Sequence, residues 1–230
     1  MGISENLSKI KAKIRTTAER VGRNPEAISL VAVTKTVGIQ EIKALLDAGH
    51  SILGENRPQA LRDRMKELPD LPVRWNFIGT LQANKIKYVY PFVEMVHSVD
   101  SVDLLENFGE WFRKTGRRCP CLLEVRISSE STKHGFSIGE IPTLLRNIQN
   151  RPDLDVRGFM GMAPFVEDSE IIRRSFRSLN DLFSASKEFE GPAFRASELS
   201  MGMSDDFPIA IEEGSTMVRI GRALFEGVSA

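Results

Sequence analysis

Eight short apolar runs alternate with helix-period segments along almost the whole of this 230-residue chain. The runs are Ile28–Lys35, Ser51–Glu55, Arg74–Gly79, Met95–Val99, Cys121–Ile127, Val156–Met162, Glu198–Met201 and Thr216–Ile220. Between them, apolar residues three and four apart mark helices: Ile39, Ile42, Leu45 and Leu46 before Gly49; Ile138, Ile141, Leu145 and Ile148; and Ile171, Ile172, Phe176, Leu179, Leu182 and Phe183. Strand–helix alternation implies right-handed crossovers and parallel strands covered on both faces, which is why each run is almost continuously apolar. Eight such units favour a closed (β/α)8 TIM barrel, a fold that uses roughly 250 residues. An open doubly wound sheet is the alternative, but no Gly-rich dinucleotide turn follows the first run. Ile3, Leu7, Ile10, Ile14, Ala18 and Val21 add an amphipathic N-terminal helix, ended by Asn24-Pro25. With no repeat and no Pro-, Gly- or Ser-rich linker, residues 1–230 read as a single domain.

Lys plus Arg balance Asp plus Glu at 31 each, so no net field draws the chain to nucleic acid or to an anionic membrane. No apolar run approaches the roughly 20 residues needed to cross a bilayer, and the N-terminus is polar, so a cytoplasmic protein is expected. Cys119 and Cys121 read as reduced thiols. A metal site built from them with His134 lacks a second Cys/His pair, and none is expected.

In a parallel barrel the binding groups gather where the strands end at their carboxyl sides. The first run ends on Lys35. A lysine closing an apolar run is expected to be desolvated, which lowers its ammonium pKa and frees the amine to attack an aldehyde. Around the last two runs, Ser200-Met201-Gly202-Met203-Ser204-Asp205-Asp206 and Ser215 to Gly221 both read as apolar strands that end in small or hydroxylated residues and open a helix. Such turns aim backbone N–H groups and hydroxyls at an anion, and they fall where barrels commonly hold phosphate. A phosphate cup with an activated lysine points to pyridoxal phosphate.

Six ordered motifs make the case more specific: Val33-Thr34-Lys35-Thr36, Gly54-Glu55-Asn56, Phe77 to Lys85, His97-Ser98-Val99-Asp100, Leu199 to Asp206, and Val218-Arg219-Ile220-Gly221. Together they resemble the pyridoxal phosphate homeostasis proteins, the YggS or PROSC family, whose barrel is similar to the N-terminal domain of alanine racemase. The resemblance implies pyridoxal 5'-phosphate carried as a Schiff base on Lys35. It implies that Ser200 and Ser204, the amides near Met201 and Gly202, and the amide of Gly221 hold the phosphate. Arg219 would lie beside the pyridine nitrogen, where a guanidinium accepts no proton and leaves the cofactor a weak electron sink. Arg219 also fits an ion pair with Glu212 or Glu213, Ser204 a helix cap, and Asn56 either the cofactor ring or a cap before Arg57-Pro58. His97 fits the cofactor's edge or a satisfied structural role. Asn84 and Lys85 fit anion binding or a solvated face, and Lys133 a second amine or a solvated loop. Met160, Met162, Met201 and Met203 read as packing. Arg126 and Arg222 depart from the Asn and Thr expected at those positions.

By the same resemblance the expected role is a carrier or buffer of pyridoxal phosphate in vitamin B6 homeostasis, with no catalytic residues assigned. Expected partners are the cofactor itself and apo forms of pyridoxal phosphate enzymes, and a monomer is expected. The alternative is a racemase-like enzyme acting on amino acids. That reading needs a second acid–base group on the other face of the substrate, and Tyr88 and Tyr90, the two tyrosines, are expected on an outer helix.

Overall fold

The computed structural model describes residues 2–128 and 134–227. Nine strands follow in chain order: β1 (Ser29–Val33), β2 (Ile52–Glu55), β3 (Arg74–Phe77), β4 (Met95–Val99), β5 (Cys121–Arg126), β6 (Phe136–Ser137), β7 (Val156–Met160), β8 (Phe194–Ser200) and β9 (Met217–Ile220). All except β6 form one ring of parallel neighbours, β1-β2-β3-β4-β5-β7-β8-β9, closed between β9 and β1 and between β4 and β5. The (β/α)8 barrel read from the alternating pattern is therefore the observed fold. The two-residue β6 is an addition that pairs Phe136 with Val125 on the carboxyl side of β5.

The helices are α1 (Ile3–Arg20), α2 (Ile39–Asp47), α3 (Pro58–Glu67), α4 (Val102–Thr115), α5 (Ile141–Ile148), α6 (Ser169–Ala185), α7 (Phe207–Glu212) and α8 (Arg222–Phe225). After β3 the chain makes a 3-10 turn, Ala83–Tyr88, in place of an α-helix. Tyr88 ends that turn. Tyr90 lies just beyond it, buried, and donates its hydroxyl to the Arg117 carbonyl at 2.6 Å, so it is not the outer-helix residue expected.

Helix α1 stands outside the repeating pattern and packs on α2, α7 and α8 through Ile3, Leu7, Ile10 and Ile14. Burial of each such side chain contributes about 1.5–3 kcal/mol. Polar contacts fix its register: Asn6 Nδ2 donates to the carbonyls of Leu224 and Glu226 at 3.1 and 3.0 Å, and Arg23 to those of Ile211 and Ser215. The first helix thus braces the last two barrel units.

Two strand limits differ from the sequence reading. β1 stops at Val33, two residues before Lys35, and β8 begins at Phe194, four residues before Glu198. The early half of β8, with Arg195 and Glu198, is too polar to register as a buried run, yet it is held by pairing with β7. Cys119 and Cys121 are buried free thiols, and burial pushes Cys119 up to about 12 and Cys121 upward as well. Among the described residues, no helix is long and apolar enough to cross a membrane.

Candidate functional site

At the carboxyl ends of the strands lies a cavity of about 520 Å³, bounded by β1, β2 and β3 on one side and by β5, β7, β8 and β9 on the other. On the first wall, Thr34 is fully buried and bonds the Gly54 carbonyl through both its amide and its hydroxyl. Burial ends there. Lys35, next in the chain, is exposed and lines the cavity, which corrects the expectation that the apolar run would desolvate it. The run delivers the amine to the mouth and does not bury it.

The loop that carries Lys35 is held from behind by a residue that the sequence reading did not single out. Arg64, on α3, donates Nη2 to the carbonyls of Thr34 and Val37 at 2.8 and 2.7 Å, on either side of Lys35-Thr36. Its Nε lies 2.9 Å from Oε2 of the fully buried Glu55, a charge contact without hydrogen-bond alignment. Glu55 Oε1 in turn accepts from the Asn56 amide at 2.9 Å. Asn56 lines the cavity and caps no helix, since the residue ahead of α3 is Arg57. Its Oδ1 is buried without a partner among the described residues. A buried acceptor left unmet beside a cavity is a group waiting for a donor. The close approach here requires Gly79, where a Cβ would lie 2.1 Å from the Asn56 carbonyl oxygen.

On the opposite wall Arg219 is buried inside the barrel, and its Nη1 donates to the carbonyl of Ser200 at 2.9 Å and to its hydroxyl at 2.6 Å, with Nη2 3.3 Å from the Gly161 carbonyl. Glu212 and Glu213 are engaged elsewhere, by Arg20, Arg173 and Arg177, so the ion pair with Arg219 does not form. Burial lowers Arg219 to about 10, partly offset by Asp206 and Glu124, and the guanidinium keeps its charge at neutral pH.

Two ends set the proton order of a string crossing the barrel. Arg219 can only donate, so the Ser200 hydroxyl accepts from it. Asn76 Oδ1 can only accept, so neutral His97 carries its proton on Nε2, donates to Asn76 at 3.1 Å, and accepts at Nδ1 from the Ser200 hydroxyl 3.0 Å away. Burial, reinforced by Arg219, holds His97 down to about 3, so it stays neutral. Ser200 and His97 thus lie beneath the cavity, where they hold Arg219, and His97 takes the satisfied structural role.

The loops after β8 and β9 lie side by side. Gly202 has φ +94°, and a Cβ there would meet Phe207 Cα at 2.9 Å, so the sharp turn out of β8 needs glycine. Asp206 accepts from the Met203 amide at 2.5 Å. Ser204 does not cap α7; its hydroxyl instead accepts from the Ala223 amide at 3.3 Å and joins the two loops. Among the described residues, the amides of Ser204, Asp205, Gly221 and Arg222 have no hydrogen-bond partner, and all four residues line the cavity. Adjacent free N–H groups form a nest for an anion.

Of the residues expected at the site, Lys35, Asn56, Ser204, Arg219 and Gly221 line one cavity, while Ser200, Met201 and Gly202 lie buried behind it. Met160, Met162 and Met203 also line it. Arg222 borders it and pairs with Asp205; Arg126 lies 3.8 Å from Glu140. Asn84 is exposed, and Lys85 rests over the Tyr88 ring. Lys133 lies outside the described residues. Glu124 on β5 was missed: a carboxylate lining the cavity, signalled in sequence only as an acidic residue inside a buried run.

The chain matches the family described as alanine racemase, N-terminal domain, over residues 6–228. It is 36% identical to the pyridoxal phosphate homeostasis protein of Aquifex aeolicus over 98% of each chain, and 34% identical to that of Escherichia coli K12 over 97% of this chain and 95% of the relative. PipY of Synechococcus elongatus PCC7942, at 29% identity and covering 97% of this chain and 99% of that one, superimposes with a TM-score of 0.87 without PLP and 0.83 with PLP bound. Barrel, cavity and full-length similarity agree: this chain belongs to the alanine racemase N-terminal domain family and, within it, to the pyridoxal phosphate homeostasis proteins.

Proposed function

We propose that this protein binds pyridoxal 5'-phosphate in the mouth cavity, held covalently through Lys35, and serves in cellular homeostasis of that cofactor. The observation that carries the reading is the meeting, in one cavity, of an exposed primary amine, a nest of free amides and a donor-only cation. The group fits these residues. The amides of Ser204, Asp205, Gly221 and Arg222 offer four donors to a phosphate, with the Ser204 hydroxyl beside them. Arg219, pinned by Ser200 and Gly161, would offer a ring nitrogen N–H groups alone and so would leave it unprotonated. Asn56 brings its unmet oxygen to the same space. When bound, pyridoxal phosphate supplies an aldehyde that condenses with amines, and a ring that is a weak electron sink beside an arginine. The named relatives of full-length similarity support this reading.

In this reading the barrel acts as one cofactor-binding unit over residues 1–230, monomeric and cytoplasmic, that releases pyridoxal phosphate to apo-enzymes. The test is to load the protein with pyridoxal phosphate, reduce with borohydride and map the adduct. The expected result is a yellow protein and one adduct on the peptide containing Lys35. A protein that does not load, or an adduct confined to another lysine, overturns the assignment. Sustained turnover of an amino acid, abolished by Lys35→Ala, would replace the carrier with an enzyme.

A further inference from the structure

A carboxylate that takes no part in the proposed cofactor contacts also lines the cavity. Glu124 projects from β5, which stands four strands from β1 in either direction round the ring, so its carboxylate faces the Lys35 side across the mouth. Among the described residues it has no hydrogen bond and no ion pair. The other charged groups around it are Asp100 at the end of β4, His134 beyond β5 and Arg219 from β9, with Lys35, Asp205 and Arg222 across the cavity. Asp100 and His134 pair with each other at 3.3 Å, and Asp205 with Arg222, which leaves Glu124 free to meet a ligand. Burial, then the nearby Asp100, raises its pKa, while Arg219 and His134 act the other way.

Resting on the proposed binding of pyridoxal phosphate to Lys35, we infer that Glu124 accepts the proton of an incoming alkylammonium, so that the freed amine takes the aldehyde carbon from Lys35. An ammonium has no lone pair, and handover to a lysine or an amino acid at neutral pH begins with deprotonation. A carboxylate with an elevated pKa, at the mouth and unpaired, suits that step. The protons balance. One proton of the incoming ammonium moves to Glu124, and the nitrogen lone pair bonds to the aldehyde carbon. Both bonds between that carbon and Lys35 Nζ break with their electron pairs going to Nζ, which takes the other two protons of the incoming nitrogen, and one of the electron pairs those protons leave behind closes the new carbon–nitrogen double bond. The Glu124 proton follows, leaving Lys35 as an ammonium and the carboxylate restored. Nothing is oxidised or reduced.

The experiment compares two probes on the loaded protein, methylamine, which is protonated at neutral pH, and methoxyamine, which is already neutral. Release from Lys35 is followed by visible absorption in wild type, Glu124→Gln and Glu124→Ala. The expected result is at least a tenfold slower reaction with methylamine in both variants, an unchanged rate with methoxyamine, and recovery of the Ala variant by added formate. Equal slowing with both probes, or no slowing with either, overturns the inference. In the unloaded protein, the side-chain carboxyl carbon of Glu124 should titrate by NMR above the ordinary glutamate range; titration at or below it also overturns the inference. A wild type that never loads at Lys35 refutes the underlying reading instead, and is recognised before any variant is made.

Discussion

The two walls of the cavity carry cations of opposite character. On the β1 side, Lys35 is exposed on a short loop and held only through its backbone neighbours, whose carbonyls Arg64 grips from behind. On the β9 side, Arg219 is buried, with its own side chain pinned by acceptors on β8 and after β7. The difference follows from chemistry. A nucleophile must bond and unbond, so its loop is fixed while its side chain stays free. An electrostatic partner that never reacts gains from burial and fixed geometry, because preorganised charge is worth more away from water.

The sharpest way to break the comparison is Lys35→Ala. It should abolish the borohydride-stable adduct completely, yet leave unfolding within about 0.5 kcal/mol of wild type, as for an exposed side chain. Mass spectrometry after reduction and a urea titration measure both, and a large loss of stability would mean that Lys35 is structural.

Arg64→Met should cost about 3–5 kcal/mol, because it strands the fully buried Glu55 carboxylate and releases the Thr34 and Val37 carbonyls. Adduct formation at Lys35 should slow as well. Stability near wild type in a urea titration would remove Arg64 as the support of that wall.

The β9 wall should reveal itself through pH. His97 is held to about 3 in the fold against an ordinary 6.5, so between those values the unfolded chain takes up a proton that the native state refuses. Its contribution is therefore complete above about pH 6.5 and is lost as pH falls toward 3, at up to about 1.4 kcal/mol per pH unit. His97→Asn should flatten part of that slope in unfolding curves. His50, lowered to about 4 by burial, leaves a remainder. Identical slopes in variant and wild type would show that His97 is not the buried neutral group described here.

The smallest effects separate the two serines. Ser200→Ala strands His97 Nδ1 and leaves Arg219 Nη1 only the backbone carbonyl of residue 200, and should cost about 1–3 kcal/mol of stability. Ser204→Ala loses one loop contact, about 0.5–1.5 kcal/mol, and should weaken cofactor retention more than stability. Equal effects of both on retention would return Ser200 to the phosphate.

Much of this was legible in the chain. Eight buried runs alternating with helical periods demand parallel strands covered on both faces, and a closed barrel satisfies that demand without edges. Strand ends then follow, and with them Lys35, Ser204, Arg219 and Gly221 at one mouth. Arg64 was not legible, since an arginine on an amphipathic helix looks solvated until α3 folds against the loop after β1. Glu124 was missed, and Ser200 was placed at the phosphate instead of beneath the cavity, for a related reason. Side-chain parity along a strand says that a residue faces inward, but not whether it meets the cavity or the layer beneath it. The sequence by itself determined the fold class and which strand ends carry reactive groups, because periodicity and strand termini are local. Tertiary structure alone decided that Arg219 is pinned and that, among the described residues, Lys35 is free and Glu124 unpaired, because burial and hydrogen-bond partners come from strands far apart in the chain.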